Sequence, residues 1–101
     1  MIDDRTKMRI RTAVADYLKM FPEDWEACKI EIQLQRQNLE NDMAEVRGTH
    51  SIQRALFSVP EKLSIMIAKK LDSDELNLFK EKEGGRWFAR EFPQFAITKQ
   101  V

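Results

Sequence analysis

Cysteine is nearly absent from these 101 residues: Cys28 stands alone, which excludes an internal disulfide framework and fits a reducing compartment. Histidine is as scarce. His50 is the only one and lies far from Cys28, so the pair has no metal-ligand spacing, and His50 reads as a loop or capping residue. Glycine and proline number three each, too few for a turn-rich β fold. Neither sign of charge prevails, with 17 basic against 17 acidic residues, so the footprint of a strongly basic nucleic-acid binder is missing. No apolar run approaches the ~20 residues of a membrane span. The opening Met1-Ile2-Asp3-Asp4-Arg5 has no apolar signal-peptide core. The expectation is a cytoplasmic protein with no membrane partner.

The usual marks of catalysis are missing too. Gly84-Gly85 has neither a third glycine nor a Lys-Ser/Thr partner, so no phosphate-cradling loop is present. No Cys/His pairing is placed to activate a nucleophile. Glu81 and Glu83 alternate with Lys80 and Lys82, the pattern of solvated helix charge. The reading is no enzyme, with no catalytic residues, no metal and no cofactor.

What the chain does have is helical patterning. The hydrophobic fraction is 43% and the charged fraction 34%, which suits one modest core with a charged surface. A first helix is expected from about Asp3 to Met20, with Met8, Ile10, Val14, Tyr17, Leu18 and Phe21 at roughly helical spacing. Phe21-Pro22-Glu23-Asp24 breaks it and starts a second, because proline and acids suit a first turn. Nothing interrupts that helix before Arg47, and Gly48 supplies a stop.

Trp25, Ile32, Leu39 and Val46 recur every seven residues along this second helix, with Cys28 and Met43 on the same stripe. Gln35 and Asp42 sit where a strong coiled coil wants leucine. A helix this long spans ~36 Å, whereas a compact domain of this size has a radius of gyration of only ~13 Å. It therefore protrudes or lies along a partner, the first helix being one. Ile30 and Leu34 fall off the stripe, and two apolar stripes on one helix imply two neighbours. The second is either within the chain or from another subunit. The candidate interface is Trp25, Ile30, Ile32, Leu34, Leu39 and Val46.

Shorter elements follow. Ser51 is expected to cap a single turn through Ile52, Ala55, Leu56 and Phe57, and Ser58 with Glu61 reads as a capping box for a third helix to about Leu71. Leu63, Met66, Ile67 and Leu71 share its face. Asp72 and Glu75 are another box, opening a fourth helix that Gly84-Gly85 ends. Arg86 to Phe92 makes a last helix, stopped by Pro93, with extended chain beyond. The expected fold is all-α, four or five helices in a single domain over 1–101: a long hairpin (3–47) against a cluster of short helices (51–92), with an extended tail (93–101).

Two clusters carry the functional question. Four of the nine aromatics lie in the last seventeen residues: Trp87, Phe88, Phe92 and Phe95. They either complete the core or, with Arg86 and Arg90 four apart on one helix face, form a partner-binding surface of Arg86, Trp87, Arg90 and Phe95. Arg5, Lys7, Arg9 and Arg11 make the first helix locally basic, either as a solvated face or as a phosphate-contacting one.

Asp74-Glu75-Leu76-Asn77-Leu78-Phe79, then Gly84-Gly85-Arg86-Trp87-Phe88-Ala89 and Phe92-Pro93, resembles the tail of small uncharacterised proteins encoded by tailed phages. The resemblance covers the last third of the chain. It implies a mobile-element origin, and so the host cytoplasm, and supplies no catalytic residues. The expected function is a non-enzymatic helical protein–protein interaction module, self-associating into a homo-oligomer, accessory to a phage or inhibitory to a host protein. Acids dominate the second helix, which suits a basic protein partner. The alternative is a nucleic-acid-binding protein using the basic first helix and the Arg86/Arg90 surface.

Overall fold

The computed structural model describes residues 2–45, 53–57 and 59–100, with side chains over 2–38 and 59–95. His50, Val46, Gly48, Ser51 and Ser58, which carry several sequence expectations, lie outside the described residues. The class is all-α, with five α-helices among the described residues: α1 (Asp4–Met20), α2 (Pro22–Glu45), α3 (Glu61–Lys70), α4 (Ser73–Lys80) and α5 (Lys82–Glu91). A short 3₁₀ turn, Pro93–Phe95, follows α5.

Asp3 caps α1, its Oδ1 accepting from the Thr6 N–H at 2.7 Å. Thr6, Ile10, Ala13, Val14 and Tyr17 fall on one face of that helix and are buried, while Met8 is on the other and exposed. Leu63 and Ile67 of α3 are buried, and α3 is the principal neighbour of α1. α2 turns away from α1 after the single non-helical residue Phe21 and contacts it less. Its inner face is covered by the end of the chain: the rings of Trp25 and Phe95 meet edge-on, 4.7 Å apart. The Arg36 guanidinium donates to the Pro93 carbonyl at 2.7 Å. The radius of gyration is 14.9 Å and the long axis 42 Å, so the molecule is elongated to the length that α2 requires.

The C-terminal aromatics are core. Phe88 packs on Phe79, Phe92 and Phe95 at centroid distances of 5.6, 5.0 and 5.9 Å, and Trp87 meets Phe92 edge-on at 6.2 Å. Edge and offset contacts like these are the favoured geometries for aromatic rings. They join α4, α5 and the 3₁₀ turn to α2 in one hydrophobic cluster.

Three local expectations are corrected. The first concerns Gly84-Gly85, which lie inside α5 rather than ending α4. α4 stops at Glu81, whose N–H reaches back to the carbonyls of Asn77 and Leu78 and whose own carbonyl accepts from Gly85. One residue thus closes α4 and opens α5. A turn that sharp brings the helices into contact, and glycine is required at 84 for space. A Cβ there would lie 2.6 Å from the Phe79 carbonyl oxygen, 2.8 Å from its Cα, and closer still to the Leu78 oxygen.

The second is α3, which begins after Pro60. That N-cap has no side-chain acceptor, and Ser58 of the expected box lies outside the described residues. The third is the segment expected as a helical turn. Residues 53–57 form a strand, β1 (Gln53–Phe57), paired antiparallel with β2 (Ala96–Gln100) in the register Gln53↔Gln100 to Phe57↔Ala96. So short a segment takes its form from a partner strand rather than from its own propensity. α5 runs against β1 and α2 against β2.

Candidate interaction surfaces

On α2, side chains point to two opposite sides. Ile32 is 2% exposed and joins the core, and Trp25 and Cys28 are half-buried on that side. Ile30 and Leu34 are 61% and 56% exposed, one turn apart on the opposite side. The expected interface is therefore corrected to its outward members. Trp25 and Ile32 are occupied inside the chain, because Trp25 meets Phe95 and Ile32 joins the core. The Leu39 side chain and all of Val46 are outside the described residues.

The rim of this outward face is acidic. Glu23, Asp24, Glu26 and Glu31 are exposed. Lys29 reaches Glu26 at 3.3 Å, and Asp24 receives Lys62 Nζ of α3 at 2.5 Å. Glu31 accepts only from Gln35 among the described residues, at 3.5 Å.

The expected partner-binding cluster splits. Arg86 and Arg90 are exposed, with Lys82 a further turn back, and none makes an ion pair among the described residues. Phe95 is fully buried and Trp87 is 7% exposed, so both are removed from the candidate surface. The physical reason is cover: Lys7 and Arg11 of α1 lie over the Trp87 ring, 5.8 and 5.7 Å from its centroid.

The basic run of α1 is neither a solvated face nor a free anion site along most of its length. Arg9 donates to the buried carboxylate of Glu75, which also accepts from the Thr6 hydroxyl at 2.9 Å and the Asp72 N–H at 3.2 Å. Arg11 Nε donates to Glu91 at 2.6 Å, and that bond raises the Arg11 pKa. Arg5 remains exposed. Asp72 accepts from the Glu75 N–H at 2.8 Å, completing the expected capping box. That backbone bond holds the Asp72 carboxyl below its ordinary value. Thr6, through its side chain first and its N–H second, does the same for Asp3.

One surface was not singled out in the sequence. Ile65 of α3 is 47% exposed, with Lys62 three residues before it and Lys69 four after it, both exposed. The available signal was its position off the Leu63/Ile67 stripe. Among the described residues no three or more His, Cys, Asp or Glu gather as a metal site, and no helix is long and apolar enough to cross a membrane. No protein-family model, curated protein or solved structure matches the chain.

Proposed function

We propose that the chain is a non-enzymatic protein–protein interaction module that self-associates, most simply as a two-fold dimer, through the outward face of α2. The observation that carries this reading is the exposure of Ile30 and Leu34 on the side of α2 that faces away from the core. Fully burying such a side chain is worth ~1.5–3 kcal/mol, and each of these keeps more than half of its surface in water. The resemblance of the C-terminal third to tailed-phage proteins supplies the setting: a phage or mobile-element accessory, or an inhibitor of a host protein. Molar mass by light scattering tests the assembly. Wild type is expected as an oligomer, and Ile30→Glu with Leu34→Glu as a folded monomer. A wild-type monomer at high micromolar concentration refutes the proposal, and an unfolded double variant returns these residues to the core.

The second reading, a nucleic-acid binder, draws on the exposed row of Lys82, Arg86 and Arg90. Its support is narrower than the sequence offered, since Arg9 and Arg11 are engaged by Glu75 and Glu91. Salt-sensitive binding to duplex DNA, lost on Arg86→Ala with Arg90→Ala in a folded protein, is the result that favours it.

A further inference from the structure

The acidic rim of α2 restricts what can cover Ile30 and Leu34. A second α2 laid on the first would bring two acid-rich faces together, each with Glu23, Glu26 and Glu31 exposed, and like charges oppose association. The surface that matches is apolar at its centre and positive at its edge. Among the described residues, the large exposed apolar side chains outside α2 are Met8, Met20 and Ile65. Met8 has Asp4 and Arg5 one turn before it and Arg11 one turn after it, with Arg11 already held by Glu91, and Met20 closes α1 with Asp16 one turn before it and Lys19 adjacent. Ile65 has Glu61 and Lys62 one turn before it and Lys69 one turn after it. α3 carries one acid, Glu61 in its first turn, against Lys62, Lys69 and Lys70. Lys70 is 3.6 Å from Asp16 of its own chain, while Lys69 has no ion pair among the described residues.

We infer that the surface covering α2 is the outward face of α3 in a second copy of this chain, with Ile65 against Ile30 and Leu34 and Lys69 against Glu31. This rests on the self-association proposed above and names the surface it uses. Glu31 lies three residues before Leu34 and Lys69 four after Ile65, so each charge is one helical turn from its apolar centre. Within one chain, Lys62 on Asp24 already joins the first turn of α3 to that of α2. A two-fold axis makes the contact reciprocal: α2 of each copy meets α3 of the other, and every surface is used twice.

Reciprocity gives the test. Glu31→Lys and Lys69→Glu each set like charges together at both contacts, and each variant alone is expected to raise the apparent dissociation constant on the order of tenfold. Mixed one to one, the two variants restore opposite charges at both contacts, and association in the mixture is expected to return to the wild-type range. The same recovery is expected when both changes are made in one chain. Sedimentation velocity reads the dissociation constants, and far-UV circular dichroism checks that the exposed substitutions leave the fold intact. If Ile30→Glu with Leu34→Glu gives monomers while Lys69→Glu associates normally, self-association through α2 stands and the α3 contact is refuted. Failure of the mixture to recover also refutes it, and a wild-type monomer removes both readings.

Discussion

Gly84→Ala sets two effects of opposite sign against each other. Alanine favours a helix interior over glycine by ~1 kcal/mol, so propensity alone makes the substitution stabilising. The packing of α5 on α4 says otherwise. The new methyl carbon would fall within 3.0 Å of three atoms, the Leu78 oxygen and the Phe79 oxygen and Cα. All three are backbone, so none can swing aside as a side chain would. Relief requires α5 to lift from α4, which strains the Phe79–Phe88 contact and the single-residue corner at Glu81. Overpacking of this kind costs ~1–3 kcal/mol, and immovable neighbours place it in the upper part of that range. Less the propensity gain, the net loss is about 1–2 kcal/mol. For a domain of this length that lowers the melting temperature by about 5–15 °C. Urea titration followed by tryptophan fluorescence, with thermal melts by circular dichroism, measures it. A Gly84→Ala protein as stable as wild type, or more so, refutes the argument from close approach.

Two further outcomes are expected. Trp87→Ala removes a buried ring between α1 and α5 and should cost roughly 3–5 kcal/mol in denaturant titration; normal stability would show that its burial is not a packing requirement. Asp3 and Asp72 have carboxyl pKa values lowered in the folded state, so on acidification the unfolded chain takes up these protons first. Their stabilisation is complete above the unfolded value of ~3.9 and is lost as pH falls through the lower folded-state values. Asp3→Asn with Asp72→Asn keeps a capping oxygen without the titration. It should flatten the decline of the urea midpoint below about pH 4, and an unchanged decline would refute the assignment.

The features legible in the sequence are those set by nearby residues. The Asp72/Glu75 box announced a helix start because a cap needs only the three residues after it. The Leu63/Ile67 face and the outward Ile30 and Leu34 followed from helical period alone. What the sequence misdirected was settled by packing between elements. Gly84-Gly85 carries the same local signal whether it stops a helix or admits a neighbouring backbone, and only the α4–α5 contact distinguishes the two. Residues 53–57 are a strand because 96–100 come alongside. Arg9 and Arg11 are engaged because Glu75 and Glu91 arrive from 66 and 80 residues away.

The order in which a ribosome delivers these residues has its own consequence. Domains fold as units, and contacts distant in sequence are the slow ones to form. Once residues through Ile67 have emerged, α1 and α3 can dock. The inner face of α2 must wait, because Phe95 and β2 are made more than sixty residues after Trp25. During that interval the nascent α2 presents apolar side chains on both sides, Trp25 and Ile32 on one and Ile30 and Leu34 on the other. The arrival of Phe95 is what covers the inner side.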